Sequence, residues 1–235
     1  MAAAAPIPAP APAADDEIVY ESMPCIRIYK DRVERYFGSE FVAASAHADA
    51  ATGVASRDRV ISPEVSARLY LPRLDTAQAD ARLPVLVYYH GGGFCLGSAF
   101  NPTFHAYFNN LAALAGVLVV SVEYRLAPEH PVPAAYADSW DALAWVVSHA
   151  APGAAAAGFE PWLADHADFA RLYLGGESAG ANIAHHVAMR VGAEGLPHGA
   201  DIWQAPGKGH TFHLLEPCCE EAVAQDKVIA DFLNH

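Results

Sequence analysis

The chain has 235 residues, 53% of them hydrophobic, and a formal net charge of −13 from 14 Lys and Arg against 27 Asp and Glu. That length suits one large domain. The acidic balance works against nucleic-acid backbones and anionic membrane surfaces, both of which call for clustered basic residues. No uninterrupted apolar run approaches the ~18 residues of a transmembrane helix, and 49 alanines inflate the apolar fraction. Four cysteines (Cys25, Cys95, Cys218, Cys219) form no CxxC pair and are too sparse for a disulfide scaffold. They point to a reducing, cytoplasmic compartment.

Residues 1–14 are alanine and proline apart from Met1 and Ile7, so they predict a disordered tail. The tail lacks the charged and apolar regions of a secretory signal and the Arg and Ser of a transit peptide. Residues 15–235 are expected to form one domain. Cys25–Tyr29 and Val33–Phe37, separated by Lys30-Asp31-Arg32, predict a hairpin. A third strand ends near Ile61, and Val65–Leu71 alternates as a fourth. Pro84–Tyr89 is a continuous apolar run, the mark of a strand buried on both faces.

From there strand and helix patterns alternate: helix Phe104–Ala115, strand Val117–Val122, helix Ala134–His149, strand Ala170–Leu174 and helix Ser178–Val191. In the Ala134–His149 helix, Trp140, Leu143, Val146 and Val147 are expected on one side. Residues 151–158 read as a loop, Ile202-Trp203 as a short strand, and the C-terminus as a helix. This order predicts an α/β fold with a mostly parallel sheet and helices on both faces.

Gly176-Glu177-Ser178-Ala179-Gly180 falls between a strand and a helix. A sharp turn there holds a serine in a strained conformation, and the flanking glycines remove side chains that would clash. The helix N-terminus behind it places partial positive charge where an oxyanion develops. The alternative, a glycine-rich turn with an incidental serine, is disfavoured by that context. His90-Gly91-Gly92-Gly93-Phe94 follows the buried strand Pro84–Tyr89. Its glycine amides, with that of Ala179, can form an oxyanion hole for acyl transfer.

A general base for the serine needs an imidazole on a reaching loop. His210, between a glycine and a short polar residue, suits this better than His213. His185 and His186 fall on the helix after Ser178 and read as surface or packed residues. His210, His213, Cys218 and Cys219 lie close in sequence, but their spacing matches no common zinc arrangement. No metal and no cofactor are expected.

These residues resemble the plant carboxylesterases of the hormone-sensitive-lipase branch of α/β-hydrolases. The likeness rests on HGGGF at 90–94, EYRLAPEHP at 123–131 leading into AAYADSWDAL, GESAGANIAHH at 176–186, and APGKGHTFHLLEP at 205–217. The opening segment PCIRIYKDRVERYFGSE fits too. The resemblance implies an α/β-hydrolase fold, Ser178 as nucleophile and His210 as base. It implies Gly91, Gly92 and Gly93 with Ala179 around the oxyanion, and an N-terminal segment capping the pocket. Arg125 and Glu129 would hold the loop beneath the site. The expected substrate is a small apolar ester, with neither nucleic acid nor membrane as partner. The same branch includes gibberellin receptors, which keep the fold but bind a hormone and lack the triad histidine. A catalytically inactive, receptor-like binding protein is therefore the alternative, and His210 favours the esterase.

The chain departs from the family in one interval. In α/β-hydrolases the triad acid lies between serine and histidine in sequence. Here only Glu194 and Asp201 are carboxylates in that interval. Glu194, at the far end of the helix beginning at Ser178, is about 24 Å away at 1.5 Å per residue. Asp201 begins the strand leading to His210, at the end opposite the active site. Neither qualifies, so no triad acid is identified. A βαβ unit takes about 30 residues, and the interval is expected to lack two late strand–helix units.

Overall fold

A computed structural model describes residues 17–45, 47–74, 82–150, 159–194, 212–215 and 217–234. The chain divides into two units, Met1–Phe37 and Gly38–His235. The expected tail, the loop 151–158, the strand Ile202-Trp203, Asp201 and His210 lie outside the described residues.

In the first unit, Ile18–Ser22 (β1), Ile26–Tyr29 (β2) and Val33–Arg35 (β3) form an antiparallel sheet in that order. The expected hairpin is β2–β3, closed by the Tyr29 N–H donating to the Arg32 carbonyl at 2.9 Å. Its second strand stops at Arg35, two residues short of Phe37. β1 extends beyond the sequence expectation; all five of its residues are exposed, so no buried face produces an apolar alternation.

The second unit is built on Ala55–Val60 (β4), Ser66–Leu71 (β5), Leu83–Tyr89 (β6), Leu118–Glu123 (β7) and Ala167–Gly176 (β8). They lie in the order β4-β5-β7-β6-β8. β5 pairs antiparallel with both neighbours, whereas β7, β6 and β8 pair parallel. Four strands therefore run one way and β5 runs against them, which is the mostly parallel sheet expected. The helices are Pro102–Ala115 (α1), Pro133–Ser148 (α2), Pro161–His166 (α3), Ala179–Glu194 (α4), Phe212–Leu215 (α5) and Glu220–Leu233 (α6).

β6 is apolar throughout because both its faces are covered. Val85, Val87 and Tyr89 join Leu143 and Val146 of α2 with Ile183 and Val187 of α4. Leu86 and Tyr88 point the other way, into Phe104, Phe108 and Leu111 of α1 and Ala230 and Leu233 of α6. Alternation along one strand thus feeds two cores, and each fully buried Val or Leu contributes about 1.5–3 kcal/mol.

α1 starts where Asn101 accepts the Thr103 N–H at 2.7 Å and Pro102 fits the first turn; it stops at Gly116, whose φ of 60° takes the chain left-handed. In α2 the buried face carries Leu143, Val146 and Trp145, and the expected Trp140 and Val147 pack, partly buried, against the same core. Trp140 is half-buried, with the Arg190 guanidinium 3.7 Å from its ring centroid. The short helices α3 and α5 were not expected; one or two turns carry too little periodicity to mark them.

Candidate active site

The parallel pairing of β6 with β8 aligns Tyr89 with Gly176, so the segments leaving both strands emerge side by side at their carboxyl ends. This is where ligand sites form in open α/β sheets. One segment is the His90–Phe94 loop and the other is the Ser178 turn.

At the turn the chain passes from β8 to α4 within two residues, and Ser178 has φ of 55°. A non-glycine residue in the left-handed region stores strain that the surrounding packing must hold. Gly180 supplies that packing: a Cβ there would lie 1.8 Å from the Tyr89 carbonyl oxygen and 2.7 Å from that of His90. Only glycine lets the first turn of α4 abut the end of β6. The turn is closed by the Gly180 N–H donating to the Glu177 carbonyl at 2.8 Å. Ala179 begins the helix, so its amide lies at the positive end of the α4 dipole.

The glycine loop is equally constrained. Gly92 has φ of 114°, and a Cβ on it would lie 2.1 Å from the Leu96 carbonyl oxygen. Gly93 is different: a Cβ there would meet nothing within 4 Å, so this residue borders open space. The Gly91 N–H donates to Glu177 Oε1 at 2.5 Å. That amide already has an acceptor, so Gly91 is not a free oxyanion donor, a correction to the expected set. Gly92, Gly93 and Ala179 remain as candidate donors.

Three buried side chains set this geometry, and the motif reading overlooked all three roles. Glu177 accepts from Gly91 N–H and, on Oε2, from the Tyr88 hydroxyl at 3.1 Å. Tyr124 stacks on the His90 ring at 4.3 Å between centroids, and its hydroxyl donates to the His90 carbonyl at 2.5 Å. His90 Nδ1–H donates to the Gly91 carbonyl at 2.7 Å, which assigns the proton to Nδ1. Burial holds the His90 imidazole down at about 4, so it is neutral near pH 7. Burial pushes the Glu177 carboxyl up to about 7, against the Gly91 and Tyr88 hydrogen bonds that favour its charge. Glu123, half-buried with Oε2 3.8 Å from His90 Nε2, is also pushed up to about 7 by loss of solvent around its carboxyl. An acidic residue beside the serine and a tyrosine beside Arg125 were the available sequence signals.

The YRLAPE segment supports the loop from below. Arg125 grips Asp138 of α2 through Nε at 2.9 Å and Nη2 at 2.6 Å, while its own N–H donates to Asp138 at 2.9 Å. The Ala127 N–H donates to the Phe94 carbonyl at 2.8 Å, joining this segment to the glycine loop. The holding role expected of Arg125 is what its contacts perform; Glu129 is exposed.

The remaining candidates lie apart from the serine. Glu194 ends α4, the whole helix away from Ser178. His213 lies edge-on to Tyr107 of α1, ring centroids 5.5 Å apart. Cys219 caps α6, its sulfur accepting the Ala222 N–H at 3.4 Å. His185 and His186 are exposed.

A strained serine at a strand-to-helix turn beside a glycine-rich loop, on a mostly parallel sheet, is the architecture of an α/β-hydrolase. A model of the alpha/beta hydrolase fold family matches residues 86–228, and the chain belongs to this family, in its plant carboxylesterase-like part. It is 54% identical over 189 residues to a 2-hydroxyisoflavanone dehydratase of Glycyrrhiza echinata, covering 79% of this chain and 57% of that one. It is 44% identical over 187 residues to the probable carboxylesterase 1 of Arabidopsis thaliana, covering 78% and 57%. Among solved structures it is similar to a mutant of the esterase rPPE at 27% identity and a TM-score of 0.50, covering 63% of this chain and 41% of that one. The chain thus spans just over half the length of the curated relatives it matches. Among the described residues, no helix is long and apolar enough to cross a membrane.

Proposed function

We propose that the protein is a carboxylic-ester hydrolase that acts through an acyl-serine intermediate on small apolar esters. The observation that carries this reading is the strained Ser178 at φ 55°, poised beside a glycine loop whose Gly93 borders open space. Ser178 Oγ attacks the ester carbonyl, and His210 takes the hydroxyl proton. Gly92, Gly93 and Ala179 donate to the oxyanion, and His210 returns the proton to the leaving alcohol. Water then cleaves the acyl-enzyme by the same route in reverse. The chemistry requires no cofactor.

Turnover is expected to be slow. With no carboxylate placed to serve as triad acid between Ser178 and His210, the imidazole is expected to lack the partner that fixes its tautomer, a loss that costs about 10⁴-fold in serine hydrolases. We attribute this to the absence of two strand–helix units from that interval. A cytoplasmic setting follows from the acidic balance and the sparse cysteines, although some relatives carry chloroplastic names, such as the tuliposide A-converting enzymes of Tulipa gesneriana.

A fluorophosphonate probe tests the reading, with intact mass and p-nitrophenyl acetate turnover compared between the wild type and Ser178→Ala. Stoichiometric labelling and slow turnover, both lost in the variant, are expected. No labelling of a cooperatively melting protein would favour the receptor-like alternative. Two relatives at 54% and 50% identity are 2-hydroxyisoflavanone dehydratases, so elimination of water is the second reading. Isoflavone formation from a 2-hydroxyisoflavanone without ester turnover would establish it.

A further inference from the structure

The two segments that form the site are joined by one buried side chain. Glu177 immediately precedes the serine, yet its carboxylate reaches across to the loop after β6, to a residue 86 positions away. The fit is close: a Cβ on Gly91 would lie 2.4 Å from Glu177 Oε1 and 2.8 Å from the Glu177 carbonyl oxygen. The first glycine of the loop therefore lets the backbone lie directly on this carboxylate.

The contact falls on one peptide plane held at both ends. The His90 carbonyl accepts the Tyr124 hydroxyl at 2.5 Å, and the Gly91 N–H of the same peptide donates to Glu177 at 2.5 Å. The next plane is held through its carbonyl, which accepts from His90 Nδ1 at 2.7 Å. A glycine-rich segment has no side chains to fix its peptide planes, and the direction in which Gly92 and Gly93 aim their amides depends on the plane before them. Neither Tyr88 nor Tyr124 comes from the serine turn; Glu177 does.

We propose that Glu177 is the positioning residue of the oxyanion loop. Held between the Tyr88 hydroxyl and the Gly91 amide, its carboxylate locks the His90–Gly91 peptide to the turn that carries Ser178. It touches no substrate and acts through Gly91. The inference rests on the hydrolase reading above, since it supposes that Gly92 and Gly93 stabilise an oxyanion. It adds that the spacing between donors and nucleophile is fixed by the hydrogen bond from the Gly91 N–H to Glu177 Oε1. Donors displaced by about 1 Å cost roughly 100-fold in rate.

The test compares Glu177→Met, similar in volume but unable to accept, with Glu177→Gln, whose amide oxygen still can. In Glu177→Met, kcat towards p-nitrophenyl acetate is expected to fall about 100-fold with KM changed less than about threefold, because only the transition state needs the aligned donors. Glu177→Gln is expected to restore most of that loss. In ¹⁵N–¹H spectra the Gly91 amide proton should sit far downfield in the wild type and in Glu177→Gln, and move upfield in Glu177→Met. Wild-type kcat in Glu177→Met, or an unmoved Gly91 resonance, would overturn the proposal. Should Glu177→Met not melt cooperatively, Glu177→Asp decides: its shorter carboxylate must drop one partner, and unchanged kcat there with the Gly91 resonance moved upfield overturns the proposal equally. If the wild type neither turns over esters nor reacts with the fluorophosphonate, the hydrolase reading fails. The Gly91 shift then still reports whether the lock exists.

Discussion

Gly180 and Tyr89 are in backbone contact: a Cβ added to Gly180 would lie 1.8 Å from the Tyr89 carbonyl oxygen. The nearest atoms are main chain at the end of the central strand, so no flexible side chain can yield. Gly180→Ala is therefore expected to destabilise the fold by about 3 kcal/mol, the upper end for overpacking. It should also push the Ser178 turn away from the glycine loop. Urea unfolding of the variant checks the first effect and the rate of fluorophosphonate labelling checks the second. A midpoint and a labelling rate equal to wild type would contradict the contact.

The Arg125–Asp138 pair gives an asymmetric prediction. The Asp138 side chain is 1% exposed and that of Arg125 is 30% exposed. Arg125→Met leaves the buried Asp138 carboxylate with only the backbone N–H of residue 125 among the bonds that Arg125 supplies, and is expected to destabilise the fold. Asp138→Leu leaves a guanidinium that can still reach water, so it should cost less. The double variant should recover part of the loss of Arg125→Met, and a double-mutant cycle in denaturant measures the coupling. Purely additive costs would mean that the pair does not hold the loop.

How much of this was readable from the residues follows from the range of each interaction. β6 announced itself because burial on both faces demands an unbroken apolar run, and Ser178 because its turn tolerates few neighbours besides glycine. The Glu177 carboxylate bond to Gly91 could not be read, since it joins residues brought together only when β8 pairs with β6. The same pairing placed Gly91 among the donors in the motif and removed it in the fold. Trp145 joins the expected Trp140 at the α2 core for a related reason, as the packing partners rather than the periodicity decide how broad a face turns inward. β1 had no buried face to leave a pattern.

Stability should fall as pH rises from mildly acidic to neutral. Burial pushes Glu123 and Glu177 up to about 7 and Asp226 up to about 6, so the folded chain keeps protons that the unfolded chain releases above its ordinary carboxyl values. Where the unfolded state binds fewer protons, stability declines as pH rises, here between about pH 4.5 and 7. His90, held down at about 4 by burial, acts the other way: its contribution is present above the ordinary imidazole value and is lost as pH falls towards 4. Burial also lowers His105 and His213, less far than His90, so the three carboxyls still prevail, and each tenfold change in proton affinity between the folded and unfolded chain is worth about 1.4 kcal/mol. Melting temperature is expected to drop from pH 5 towards pH 8, and Glu123→Gln should flatten the slope. A melting temperature that climbs over that range would refute the assignment.

Among the described residues, β8 pairs with one neighbour, β6, and its other edge has no strand beside it. Like β4 at the opposite end of the described sheet, the strand that leads to the nucleophile pairs with one described neighbour, and that ladder is what holds it in place. Local opening of the β6–β8 ladder would dismantle the serine turn. The protein should therefore have an inactivation temperature below its global melting point. Covalent occupation of Ser178 should slow amide exchange along Ala167–Gly176 more than anywhere else in the sheet.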